Sequence, residues 1–189
     1  DIKIPWELSR HQFFTALGQA YVYTGDENYA LEFKQQVEHW IDHNAYKVGV
    51  NWMCSMDIGI RAISWVWART FFEQSPSIDK PFWRKFHQVL ALHGDYVYNN
   101  IEDWGGIKNN HYLSNGTALY ILGLALPDLP NASKWKQKGR DILEECCEKQ
   151  ILSDGVDYEM STSYHRLVFE FLLTPYLFAG KYGEHFSAG

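Results

Sequence analysis

From Pro5 to Tyr182 the apolar residues of this chain recur every three to four positions, and no stretch alternates with the period of two that a half-buried strand demands. The chain is thereby restricted to helices packed on helices. Pro5 and Glu7 open a first stretch over residues 5–23, closed by a Thr24-Gly25-Asp26 turn. The same spacing predicts helices over 27–44, 55–73, 110–126, 132–150 and 161–182. One more begins after Asp79, its candidate N-cap, and ends near Tyr98. The expected fold is all-α, with about seven helices joined by short connections.

These helices differ in kind. Those over 27–44, 79–98 and 132–150 carry charge (Glu32, Lys34 and Glu38; Arg84 and Lys85; Lys136, Lys138 and Glu144), whereas those over 55–73, 110–126 and 161–182 are far more apolar. Alternation of amphipathic and nearly all-apolar helices suits outer and inner layers of a helical ring or solenoid; a simple bundle would make every helix similarly amphipathic. No repeat of fixed length accompanies the alternation. One helix starts almost at Asp1, another stops just before the end, and seven helices leave one unpaired in such an array. The expectation is a single helical domain over residues 1–189, part of a longer protein.

Composition removes several functions. A formal charge of −6 argues against a general nucleic-acid binder, which needs a basic face for phosphates. No apolar run reaches the roughly 20 residues of a membrane helix. Cys54, Cys146 and Cys147 lack metal-ligand spacing and read as buried, reduced thiols. Aromatic residues make up 16%, a surplus that suits either a ring-filled core or a groove that stacks sugars.

Polar residues gather in four places. In Trp6-Glu7-Leu8-Ser9-Arg10-His11, a carboxylate, a guanidinium and an imidazole share one helical face, as a surface ion pair also would. Asn51-Trp52 offers a sugar platform or a ring closing the core, and Asp57 and Arg61 follow as an i,i+4 pair. In Trp104-Gly105-Gly106-Ile107-Lys108-Asn109-Asn110-His111-Tyr112, glycines precede a crowd of polar groups that opens an apolar helix. Asn109 could be just an N-cap, but capping needs only one such residue. Free backbone N–H groups there add affinity for an anion. Lastly, Asp154-Gly155-Val156-Asp157-Tyr158-Glu159-Met160 leads into Tyr164-His165-Arg166 at the start of another apolar helix.

These groups suit β-elimination from a uronic acid. The carbon-bound proton beside the carboxylate is barely acidic until the carboxylate charge is neutralised, which an Asn amide or a His can do by hydrogen bonding. A Tyr or His then removes the proton, and a Tyr can return one to the leaving glycosidic oxygen. A Tyr base needs cations nearby to lower its pKa from about 10. Arg10, Arg61, His165 and Arg166 are the candidates.

Together the motifs W-E-L-S-R-H-Q (6–12), N-W-M-C-S-M-D (51–57), N-N-H-Y-L-S-N (109–115) and D-G-V-D-Y-E-M-S-T-S-Y-H-R (154–166) resemble the heparinase II/III family of polysaccharide lyases. That resemblance implies an N-terminal (α/α) toroid, here incomplete, followed by a β-sandwich domain absent from this chain, with catalysis in the cleft between them. It implies that Asn110 neutralises the carboxylate beside His111 and that Tyr164 is base or acid, 54 positions on. Trp6, Glu7, Arg10, His11, Asn51 and Trp52 would line the groove, and Arg61, Asn109, His165 and Arg166 would complete the substrate-binding set. A further catalytic His or Tyr and the metal-binding residues would belong to the β-sandwich. This chain would therefore hold half a site, use no cofactor of its own, be inactive alone, and act on an acidic polysaccharide in the periplasm or outside the cell.

Two other functions use parts of the same set. A glycoside hydrolase on a similar toroid would need two carboxylates flanking one bond, from among Glu7, Asp57, Asp103, Asp157 and Glu159. A non-catalytic glycan-binding domain would need neither.

Overall fold

The computed structural model describes residues 1–186, and among them are eight α-helices, one short 3-10 turn (Val50–Trp52) and no strand. The stretch expected as one helix over 5–23 is two, α1 (Lys3–Ser9) and α2 (Phe14–Thr24). They part at His11, whose φ of 54° is left-handed and cannot continue a right-handed helix. The cause is tertiary. The turn drops the imidazole into the core, where Nδ1 accepts a hydrogen bond from Trp65 Nε1 at 2.9 Å and the ring stacks on Phe14 at 4.7 Å. The other helices follow the sequence reading closely: α3 (Asn28–His43), α4 (Ser55–Phe72), α5 (Lys80–Asn99), α6 (Asn110–Ala125), α7 (Ala132–Gln150) and α8 (Thr162–Lys181). Among the described residues no helix is long and apolar enough to cross a membrane.

The chain divides into two compact units, Asp1–His93 and the part from Gly94 onward. In the first, α4 is the core helix, with 13 of its 18 residues buried. Much of the aromatic surplus is spent here: Phe33 stacks on Phe72 at 4.7 Å, Trp65 on Phe86 at 5.2 Å, and Trp40 meets Trp65 edge-on at 5.5 Å. Beyond the area they bury, such ring pairs contribute about 0.5–1.5 kcal/mol each.

A charge lies inside this core. The Arg61 guanidinium sits 4.3 Å over the Trp40 ring and donates to His93 Nε2 (2.9 Å), Asn51 O (2.9 Å) and Ser9 Oγ (3.2 Å). Burial pulls Arg61 down to about 9, with Asp57 opposing. Burial, then the Arg61 charge, lowers His11 to about 3 and carries His93 well below its ordinary range. Both imidazoles therefore stay neutral while folded, although the unfolded chain protonates them near pH 6.5. Their contribution to stability is full above that pH and is lost as pH falls below it, for His11 down to about 3. Stability is expected to decline below pH 6.5 by at most about 1.4 kcal/mol per pH unit for each histidine. His11→Gln should make the decline shallower. Urea unfolding followed from pH 7 to pH 5 tests this, and equal slopes for the two proteins would refute it.

In the second unit α6 is the core helix, with 15 of its 16 residues buried. It lies against α7 where Gly116 and Gly139 bring the two backbones together. α8 departs from the expectation of a second inner helix. Only Val168, Phe171, Pro175, Phe178 and Ala179 are buried, while Phe169, Leu173, Tyr176 and Leu177 are exposed. Of the three free thiols, Cys54 and Cys146 are buried as expected, but Cys147 is exposed.

Candidate active site

The second unit builds its polar centre at the start of α6. Gly105 and Gly106 have φ of 64° and 91°, and these two left-handed positions turn the chain back so that Trp104 pairs with Ile107. Lys108 then pins the loop, with Nζ donating to Glu145 Oε2 at 3.0 Å and to Tyr112 OH at 3.2 Å. Gln150, fully buried, reaches from the end of α7 and donates to the carbonyls of Lys108 (2.7 Å) and Asn109 (3.1 Å). Asn109 is the N-cap, its side chain accepting from the His111 N–H at 3.1 Å. Capping thus uses one residue of the polar crowd and leaves Asn110 and His111 for other work.

Each of those two is held by a carboxylate. The backbone N–H of Asn110 donates to Glu159 Oε1 at 3.1 Å, and its Nδ2 lies 2.9 Å from Oε1 and 3.1 Å from Oε2. The Glu159 charge meets the positive end of the α6 dipole. His111 Nδ1 is 3.1 Å from Glu102 Oε2, and the exposed Trp104 ring is tilted over the imidazole at 4.9 Å. With Nδ1 turned to Glu102, Nε2 is the nitrogen left for a ligand.

Glu159 stands in the turn between α7 and α8. Gly155 (φ 84°) lets the chain reverse, Ile151 pairs with Asp157, and Met160 is left-handed at φ 52°. Asp157 is buried, and that burial, then the charge of Glu159, raises its carboxyl above the usual range. The Glu159 and Tyr158 amides and His165 act in the opposite direction. Ser161 caps α8 by accepting from the Tyr164 N–H at 3.4 Å, which puts Tyr164 in the first turn with 46% of its surface exposed. His165 turns inward, Nδ1 accepting from the Asp157 N–H at 3.3 Å, while Arg166 is exposed and 3.9 Å from Glu170.

Helices α6 and α8 run in the same direction, because the contacts Asn110–Glu159 and Thr117–Phe171 follow one another in the same order along both segments. Thr117 Oγ1 donates to Phe171 O at 2.8 Å, and Asn110 and Tyr164 each lie seven positions before that contact. Two turns back along parallel helices, both belong to the same end of the unit.

The candidates in the first unit fare unevenly. Trp6 Nε1 donates to Val50 O at 2.7 Å, Arg10 bridges Glu7 (2.6 Å) and Asp57 (2.7 Å), and Asn51 Nδ2 donates to Asn44 Oδ1 at 2.7 Å. These four candidates keep some exposed surface, and Asn51 helps line a cleft of about 560 Å³ between α1 and α3. Trp52 and Arg61, expected at a groove, instead belong to the core, with 4% and 0% of their surface exposed, and His11, 7% exposed, is held in the core with only an edge on that cleft. The Trp52 ring is enclosed by Trp40, Tyr46 and His93, which leaves no face for a sugar. Arg61 is satisfied by the neutral acceptors described above, so Asp57 finds its partner in Arg10 rather than one turn along its own helix.

Sequence reasoning overlooked Glu102 and gave Glu159 only a hydrolase role. Neither shows its partner locally, since Glu102 is nine positions from His111 and Glu159 is 49 from Asn110. Trp104 had a signal, an aromatic residue beside two glycines.

Residues 1–184 match the family described as heparinase II/III N-terminus. A heparin-sulfate lyase of Pedobacter heparinus is 25% identical over 181 residues, covering 93% of this chain and 27% of that protein. A heparin-sulfate lyase of Bacteroides thetaiotaomicron is 31% identical over 163 residues, covering 84% of this chain and 23% of that protein. The crystal structure of heparinase III, an α/α toroid enzyme, matches with a TM-score of 0.81 at 26% identity, over 93% of this chain and 27% of that one. The chain spans about a quarter of the length of the relatives it matches. The all-α class stands, and with residues 1–184 matched to its N-terminal region, this chain belongs to the heparinase II/III family.

Proposed function

We propose that this chain is the helical part of a polysaccharide lyase that cleaves a uronic-acid-containing polymer by β-elimination, with Asn110, His111 and Tyr164 as its share of the catalytic site. The observation that carries this is the start of α6, where the buried Asn110 amide, held by Glu159, and the part-exposed His111 imidazole stand beyond the cap, at the same end of the unit as the exposed phenol of Tyr164. Glu159 already occupies the positive end of the α6 dipole, so a substrate carboxylate would be met by hydrogen bonds from the remaining Asn110 amide hydrogen and the His111 ring rather than by the dipole.

In the reaction, Asn110 donates to the uronate carboxylate and more strongly to the aci-carboxylate that develops from it, with His111 beside it. The proton next to the carboxylate leaves for a base, its electron pair becomes the new carbon–carbon double bond, and the bond to the glycosidic oxygen breaks. Tyr164 serves as the base or as the acid that protonates the departing oxygen. Oxidation states balance, so no redox cofactor is consumed. Trp6, Glu7, Arg10, Asn51, Asn109, His165 and Arg166 supply contacts to the polymer. The remaining catalytic group comes from a β-sandwich domain of the same longer protein, which acts in the periplasm or outside the cell. The relatives' names, heparin-sulfate lyases, favour an acidic glycosaminoglycan as substrate. A hydrolase is disfavoured because Glu159 is engaged with Asn110, Glu7 and Asp57 with Arg10, and Asp157 is buried.

The test incubates the full-length protein with a panel of uronic-acid polysaccharides and follows near-ultraviolet absorbance. A lyase leaves an unsaturated uronide, so absorbance is expected to rise with each cut. New reducing ends without absorbance would replace this function with hydrolysis.

A further inference from the structure

Asn110 does not meet its surroundings with a freely rotating amide. Three contacts tie it to one carboxylate: the backbone N–H to Glu159 Oε1 at 3.1 Å, and Nδ2 to Oε1 and Oε2 at 2.9 and 3.1 Å. A planar amide nitrogen almost equidistant from two oxygens directs one of its two hydrogens between them, because those hydrogens diverge. The other hydrogen points away from Glu159 and is left to donate to a ligand.

Glu159 is itself rigidly carried. Tyr158 N donates to Gln150 O at 2.9 Å and Met160 N to Asp157 O at 3.0 Å, so the backbone on both sides of Glu159 is bonded. Met160 adopts a left-handed φ of 52°, a conformation costly for a residue with a side chain and kept only where the surroundings enforce it. Five residues after Glu159 comes Tyr164, in the first turn of α8. One carboxylate therefore links the start of α6 to the segment that leads directly to the phenol.

We infer that Glu159 is a positioning residue: it sets the rotamer of the Asn110 amide, so that one hydrogen faces the substrate carboxylate, and it fixes that amide relative to the Tyr164 segment. This rests on the lyase function proposed above. The negative charge is part of the device. The α6 N-terminus and the amide take up that charge. A glutamine in its place would keep one oxygen to accept from the Asn110 N–H and Nδ2 but would lose the charge and set an NH2 donor against Nδ2 where Oε2 now accepts.

Glu159→Ala and Glu159→Gln are to be made in the full-length protein, alone and together with Asn110→Ala. Each single substitution is expected to lower kcat/KM for unsaturated-product formation about 100-fold, since a misplaced binding group costs rate even where the chemistry is intact. In the Asn110→Ala background, adding Glu159→Ala should cost little more, because the side-chain amide that Glu159 orients is gone and only the backbone N–H contact remains. A further loss of similar size in that background would mean a role independent of Asn110 and would overturn the inference. A second readout needs no turnover. In amide ¹H–¹⁵N spectra of this chain, the side-chain pair lost in Asn110→Ala is expected to shift as carboxylates titrate and to stop shifting in Glu159→Gln. A pair that shifts equally in both proteins, or in neither, would overturn the clamp. Absence of unsaturated product from wild-type protein on every polymer would sink the lyase function, while the amide titration would still decide whether Glu159 holds Asn110.

Discussion

Tyr164→Phe in the full-length protein is expected to lower kcat for unsaturated-product formation by about 100- to 10,000-fold with KM nearly unchanged. Removing one hydroxyl from an exposed first-turn residue deletes the proposed proton carrier without disturbing a packed core. Asn110→Ala should cost about 100- to 1,000-fold, the range for deleting one preorganised donor to a developing oxyanion. Its loss should be shared between KM and kcat, because in the proposed mechanism the amide meets the substrate carboxylate in both ground and transition states. Circular dichroism and melting curves serve as the check on folding. A Tyr164→Phe protein that keeps more than a tenth of wild-type kcat would remove the phenol from the chemistry and leave the proton transfer to His111 or to a group outside this chain.

Gly139→Ala is expected to be the most damaging small substitution in the second unit, destabilising by about 3 kcal/mol. A Cβ at this position would stand 2.6 Å from Gly116 O and 2.8 Å from Tyr120 Cα, and both are backbone atoms of α6 that cannot rotate aside. The two helices would have to separate along their closest approach, which would loosen α6 and with it the polar cluster at its start. For a chain of this size the midpoint should fall by about 6–12 °C. Gly180→Ala is the comparison, because nothing lies within 4 Å of a Cβ there. Alanine at a helical position without a clash is neutral or favourable by up to about 1 kcal/mol. Equal melting temperatures for the two variants would show that the α6–α7 approach is looser than the atomic distances imply.

The candidate site was legible in part, and the boundary has a physical cause. Asn109, Asn110 and His111 stood out because a helix start needs one cap and here three polar side chains crowd into it, a surplus visible within a single turn. Tyr164 stood out similarly at the start of an apolar helix. Their carboxylate partners did not, since Glu102 and Glu159 look like ordinary surface acids until α6 and the turn before α8 come together. At the other extreme, Trp52 and Arg61 sat in a polar motif that invited a binding role, and the fold used them as core.

Sequence by itself determined the helical class and most helix limits, α7 at 132–150 among them, because periodicity, caps and glycine stops act between residues only three or four apart. It also marked α6 and α4 among the apolar helices, and both are core helices, whereas the equally apolar-looking α8 is not. Tertiary structure alone decided the break at His11, the neutral partners around Arg61 and the exposed apolar face of α8. It alone gave Asn110 its carboxylate. Each of these rests on contacts such as His11–Trp65, Arg61–His93 and Asn110–Glu159, 32 to 54 positions apart, or on a face that no neighbour in its unit covers, and no local preference encodes such distances. A left-handed histidine costs energy where it stands; what holds it there is a tryptophan from another helix.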